Sequence, residues 1–298
     1  MPPAKPKPSD IASEAKRIYI PHIAQYMPDE SPTSVQIPDS SYYPVESSKR
    51  SQHRLRVAII DGDPVDVALD WSTYTQQNNA LTQPPKIPVV NMANEKRPGG
   101  DWESGLLAPE ECFCRRSNLI HALLSTKYIF NASESSQYPL PQRGGIYSPH
   151  VVIFRDGPDH YQAWNQTDWK SLPVISVAPV RRPKLDESGK RYSFSQEREL
   201  MLEKMRTVLR ITAMYEHASV VLGAFGVGHI FRNPPREVAR MWKQLLFHEE
   251  EFSGVFANVV FAIQTNQPGN GRAGSTEYEV FQEEFDPSKI FESKYVTK

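Results

Sequence analysis

Two periods run through the apolar positions of the chain. Short apolar runs at 55–60, 88–92, 150–154, 172–178, 219–225 and 255–263, with a brief one at 34–37, read as strands. Longer stretches between them have helical spacing. At 11–27, Ile11, Ala15, Ile18 and Tyr19 fall on one side, and Pro21 should end or kink the helix near Ile20. At 110–124 the stripe is Phe113, Ser117, Ile120 and Leu124. At 196–217 it is Met201, Met205, Val208, Thr212 and Tyr215, and at 234–247 it is Val238, Met241, Trp242 and Leu245. Residues 65–81 and 278–285 complete the helical set. Strands alternating with helices predict an α/β sandwich whose largely parallel sheet is covered on both faces.

The polar stretches set the boundaries. Residues 1–10 begin Pro- and Lys-rich and are expected to be disordered. Residues 28–52, rich in Ser and Pro, read as a surface connection, 127–131 as a segment after the helix, and 181–195 as a charged loop. With no internal repeat and no break in pattern, 11–263 is expected to be one domain, followed by a tail at 264–298 that contains the turn-rich PGNGRAGS.

Two loops carry candidate chemistry. The run at 88–92 leads into a glycine-punctuated loop that ends at Pro109, and Glu110 and Glu111 stand where this loop becomes a helix. Their carboxylates face the unpaired N–H groups and positive end of that helix. Such a pair suits acid–base work, and it equally serves to stabilise a helix start. In the second loop, LGAF is followed by GVGHIFRN and PPREVARMW, so Gly226 and Gly228 open a helix that Asn233 can cap and Pro234 can begin. Glycine there lets backbone N–H groups approach a phosphate. By itself the pattern is also that of a tight strand-to-helix turn, and without Lys-Ser/Thr it is not a nucleotide-hydrolysing P-loop.

Composition narrows the classes. The 298 residues are 39% hydrophobic, with 13 Phe, 13 Tyr and 5 Trp, enough for a sizeable core. A net charge of −1 provides no field to gather nucleic acid or anionic membrane, so an anionic ligand must be held locally. No apolar run is long enough to span a bilayer and the first residues lack a secretory signal, so an intracellular protein is expected, cytoplasmic and/or nuclear. Cys112 and Cys114 are the only cysteines, are too close in sequence to bridge easily on a helix, and read as buried thiols. The 8 histidines are scattered without metal-ligand spacing, so neither a metal nor a cofactor is expected.

The stretch PVVNMANEKRPGGDWESGLLAPEECFCRRSNLIHALL resembles the signature of the microbial-type poly(ADP-ribose) glycohydrolases, a branch of the macrodomain fold, and GIYSPHVVIFRDG resembles the family again. Gly99, Gly100 and Asp101 stand where the family has three glycines, and Pro109, Glu110 and Glu111 where it has Gln-Glu-Glu. The resemblance implies a macrodomain-like three-layer α/β/α sandwich with a mixed, largely parallel sheet. It implies Glu111 as the catalytic glutamate, Glu110 on the ribose hydroxyls, and Asn94, Gly99 and Gly100 at the distal ribose. It further implies Gly226, Val227, Gly228 and His229 in a diphosphate loop, with Phe231 packed on the ribose. Asp101 adds a charge and a side chain to the first loop, and Pro109 removes an amide side chain and an N–H. The expected activity is hydrolysis of an O-glycosidic ADP-ribosyl bond, of poly- or mono-ADP-ribose. The rivals are a non-catalytic ADP-ribose reader and a hydrolase of a small ADP-ribose derivative. The expected partner is ADP-ribose or an ADP-ribosylated protein, bound by a monomer.

Overall fold

A computed structural model describes residues 6–30, 33–46, 54–128, 138–265 and 276–290. Outside them lie most of the Pro- and Lys-rich head, parts of the 28–52 connection, the end of the 127–131 segment and the PGNGRAGS sequence.

The chain enters through α1 (Pro8–Glu14), a π turn at Ala15–Tyr19 and α2 (Ile20–Tyr26). Pro21 therefore does not break the helix. It has no N–H to return to the preceding turn, and the coil widens just ahead of it, where the Ile20 N–H donates to the Ala15 carbonyl five residues back. The wider turn rotates the buried face: Ala12 and Ile23 join Ile11 and Ala15 inside, and Ile18 remains exposed.

There follow β1 (Ser34–Ile37), β2 (Arg56–Ile60), α3 (Pro64–Asn78), β3 (Val89–Met92), α4 (Pro109–Arg116), α5 (Leu119–Leu124) and β4 (Thr126–Tyr128). Next come β5 (Gly145–Ile153), β6 (Lys170–Val177), α6 (Ser195–Met214), β7 (Ser219–Leu222), α7 (Pro235–Phe247), β8 (Asn258–Ala262), α8 (Glu277–Glu284) and α9 (Pro287–Ile290).

All the strands join one sheet in the order β2-β8-β7-β3-β6-β5-β1-β4. Pairing is parallel from β2 through β6; β5 is antiparallel to both β6 and β1, and β4 is parallel to β1. Successive residues of a strand point to opposite faces, so Val220 and Leu222, with Val259 and Phe261, enter the cluster under α6, α7 and α8, while Val221 and Val260 enter the cluster under α1 to α5. The sheet is thus the middle of three layers, mixed and largely parallel as expected.

Two elements differ from the sequence reading. The helix expected over 110–124 divides at Ser117, whose backbone is extended (φ −149°, ψ 173°). There Ser117 bridges to Ile153, and the Asn118 N–H donates to Val152 O while Asn118 Oδ1 accepts from Val152 N. The sheet thereby captures backbone that helical periodicity alone would keep, and Leu124 at the end of the expected stripe is exposed. The strand expected at 150–154 begins earlier, at Gly145; its register shifts between Ser148 and Val151, around Pro149, which has no N–H for the ladder. Among the described residues no helix is long and apolar enough to cross a membrane.

Candidate active site

The turn into α4 places two carboxylates in the interior. Ala108 is the N-cap residue and offers no side-chain bond, while Pro109 fits the first turn, where its missing N–H costs nothing. Glu110 and Glu111 follow with 2% and 5% of their surface exposed. Glu110 Oε2 accepts from the Asn94 N–H at 2.7 Å and Oε1 from Asn91 Nδ2 at 3.2 Å. Burial nevertheless dominates, with the nearby Glu111 charge acting in the same direction, and pushes the Glu110 carboxyl up to about 8 against the pull of these N–H donors. Glu110 therefore holds its proton more tightly than an ordinary carboxyl.

Glu111 is held differently. Its Oε1 accepts from the Asp101 N–H at 3.1 Å, across the glycine loop. Gly99 and Gly100 have φ of +69° and +55°, and a β-carbon on Gly100 would overlap Glu111 Oε1. At Gly99 it would meet Ile120 Cδ1 at 2.8 Å and Cys114 Sγ at 3.2 Å, so the buried Cys114 packs beneath the loop. Asn94 Oδ1 closes the start of the loop by accepting from the N–H groups of Lys96 (2.9 Å) and Arg97 (3.3 Å). The Asp101 carboxylate pairs with Arg97 at the surface, so the charge that departs from the family pattern turns outward. Both cysteines are buried free thiols, pushed up by desolvation.

The second glycine loop lies between β7 and α7. Asn233 does not cap α7, whose N-cap is Pro234. Its amide instead ties the loop together, donating to Val180 O and Gly226 O at 2.7 Å each, while its Oδ1 accepts from Tyr192 Oη at 2.8 Å. The two glycines also have different tasks. A β-carbon on Gly226 (φ +76°) would meet Met201 Cε at 2.6 Å in the core, whereas one on Gly228 (φ +92°) would meet nothing within 4 Å. Among the described residues the N–H groups of Gly228, His229 and Ile230 carry no hydrogen bond.

A cavity of about 670 Å³ opens at the carboxyl ends of β2, β3, β7 and β8, where ligands of open α/β sheets sit. Val227, Gly228, His229 and Phe231 line it, as do Asn91, Pro109 and Cys112. Asn94, Gly99, Gly100, Asp101, Gly226 and the two glutamates are not among the lining residues. Asn91, which lines the cavity and donates to Glu110, links the two groups.

Sequence reasoning missed part of the wall. Asp61, Asp63, Arg116 and Tyr161 also line the cavity. Asp63 accepts from the Val65 and Asp66 N–H groups at the start of α3, and it accepts from Arg116 Nη1 at 2.9 Å; Arg116 also pairs with Asp66. Burial pushes the Asp63 carboxyl up in spite of Arg116. Asp63-Pro64 before an apolar helix was a readable N-cap signal, but its partner lies far along the chain. Among the described residues no group of three His, Cys, Asp or Glu is arranged to hold a metal ion.

Solved structures share this architecture. Poly(ADP-ribose) glycohydrolase from Thermomonospora curvata superposes with a TM-score of 0.72 at 20% identity, covering 93% of this chain and 99% of the other. The same enzyme bound to the inhibitor ADP-HPD gives 0.70 at 22% identity, over the same shares. The glycohydrolase from Deinococcus radiodurans in complex with ADP-ribose gives 0.61 at 24%, covering 90% and 97%. No curated protein matches by sequence. Residues 15–156, the part of the chain that carries Asn94, the first glycine loop and both glutamates, match the family of microbial-type PARG catalytic domains.

Proposed function

We propose that this protein binds ADP-ribose across the cavity and hydrolyses an O-glycosidic ADP-ribosyl bond, with Glu111 as the catalytic residue. The observation that carries the reading is the clamp on Glu111: a backbone N–H fixes one carboxylate oxygen against Gly100, at a helix start next to a cavity bordered by unbonded N–H groups. The family match over this segment and the ADP-ribose held by a similar structure support the same ligand. In the reaction, the protonated form of Glu111 gives its proton to the leaving oxygen as the bond to the ribose breaks, and positive charge builds on the ring. The carboxylate then takes a proton from water as water adds to the ring, so the acid is restored. Glu110 offers acceptor capacity to the ribose hydroxyls, and Asn94 with the Gly99-Gly100 loop borders the distal ribose. Val227, Gly228 and His229 supply N–H groups to the diphosphate, and Phe231 packs on a ribose. The protein acts as an intracellular monomer, cytoplasmic and/or nuclear, on ADP-ribose or an ADP-ribosylated protein, without a cofactor.

Two observations favour a second reading. Neither glutamate side chain belongs to the cavity lining, and Pro109 lacks the amide that the family pattern has there. A reader that binds ADP-ribose without turnover has no need of either. Calorimetric titration with ADP-ribose, followed by assays of release from polymer, mono-modified protein and small ADP-ribose esters, separates the readings. Absence of ADP-ribose binding rejects both; tight binding without release from any substrate leaves the reader; release from esters alone identifies a hydrolase of small derivatives.

A further inference from the structure

Arg115 is fully buried, yet among the described residues it forms no ion pair. A guanidinium without a carboxylate partner is costly in the interior unless its donors are otherwise used. Two of them are. Nε donates to Trp102 O at 2.9 Å and Nη2 to Ser104 O at 2.8 Å, both carbonyls of the loop that crosses Glu111. The remaining nitrogen, Nη1, makes no hydrogen bond, and the Tyr161 hydroxyl and Cys112 thiol lie near the same guanidinium.

Arg115 follows Glu111 by one helical turn on the same face of α4. The carbonyls it grips belong to tight turns: Trp102 N donates to Gly99 O, and Ser104 N and Oγ both donate to Asp101 O. The closing link is the Asp101 N–H on Glu111 Oε1. The chain of bonds therefore leaves α4 at Arg115, passes through the loop and returns to α4 at Glu111.

We infer that Arg115 is a positioning residue for Glu111, holding the glycine loop closed on α4 so that the Asp101 N–H stays on the carboxylate. The inference rests on the proposed role of Glu111. A planar fork can hold two carbonyls at once, whereas a lysine ammonium at the end of a flexible stem does not reproduce that grip.

The test is Arg115→Lys, with kinetics, ADP-ribose calorimetry and amide hydrogen exchange on the full chain. Turnover should fall about 10- to 100-fold, the scale of a small misplacement of a reacting group. KM and ADP-ribose affinity should stay within about twofold, because ground-state binding is not what is lost. Exchange should quicken at Asp101, Trp102 and Ser104 and not in the β7–α7 loop. In a Glu111→Gln background the same substitution should cause no further loss of turnover. Unchanged turnover, an equal loss in both backgrounds, or exchange that quickens throughout the protein overturns the inference. If the variant does not fold, the wild type decides: the amides of Asp101 and Ser104 must exchange together with α4, and free exchange at the rate of exposed loops overturns it. If the wild type cleaves no substrate, the catalytic reading fails separately, and the exchange measurements alone decide whether Arg115 is a latch.

Discussion

The carboxylate of Glu111 rests on the backbone of Gly100, in space that a β-carbon there would occupy. Gly100→Ala therefore has to push either the carboxylate or the loop aside. The backbone at φ +55° adds strain of about 1–3 kcal/mol. Turnover should fall about 100-fold, while the protein still folds and melts at a lower temperature. Wild-type turnover in this variant would show that the clamp has no part in catalysis.

Glu110 predicts a pH dependence of stability. Its carboxyl, ordinarily near 4.5, is pushed to about 8 in the fold, so the proton is held more tightly in the folded chain. Below pH 4.5 both states are protonated and the group's contribution to stability is complete. As pH rises towards 8 the unfolded chain ionises first, and stability is lost at up to about 1.4 kcal/mol per pH unit. Glu110→Gln should remove that loss. Urea midpoints of the two proteins from pH 5 to pH 8.5 should therefore converge at the acid end and separate at the alkaline end, the variant being the more stable; parallel curves would mean that Glu110 ionises normally.

Glu111→Gln keeps the shape of the side chain and its bond from Asp101 but cannot pass a proton. Turnover should drop about 100- to 10,000-fold, with ADP-ribose affinity largely retained in calorimetry. A variant that releases ADP-ribose as fast as wild type from every substrate excludes Glu111 as the acid.

The glycines of the second loop should respond in different assays. Gly226→Ala drives a β-carbon against Met201, so its effect should appear in the melting temperature. Gly228→Asn, chosen because Asn tolerates positive φ, adds a side chain beside the cavity and should weaken ADP-ribose binding about tenfold or more with little change in melting. Equal affinities in the Gly228 variant and wild type would move the diphosphate elsewhere.

Pro109 lines the cavity one residue before the glutamates. Pro109→Gln restores an amide and an N–H at the first turn of α4, where either residue suits a helix, and should raise release from polymer with ADP-ribose affinity preserved. No rise would direct attention to Asp101.

Much of the architecture was legible because strand and helix periods differ sharply: the runs that became β3, β7 and β8 and the stripe of α6 stand where periodicity puts them. The loop geometry was not. Asn233 looks like a helix cap in sequence, and only tertiary structure shows its amide spent on Val180 and Gly226. Gly226 and Gly228 are alike in sequence, yet one faces the core and the other open space. The adjacent glutamates are likewise indistinguishable as letters; bonds to Asn91, Asn94 and Asp101, all formed across the fold, give them separate environments.

The helix α8 has a consequence for how this protein can be handled. Thr276 and Glu279 cap its start, Arg236 of α7 pairs with Glu283 and Glu284, and Phe281 is buried against Phe261 of β8. Shortening the chain after the last strand would uncover that aromatic surface and leave Arg236 without its acids. An expression fragment trimmed at the apparent end of the repeating strand–helix pattern is thus expected to be aggregation-prone, and one that extends through Phe285 keeps the aromatic cluster whole.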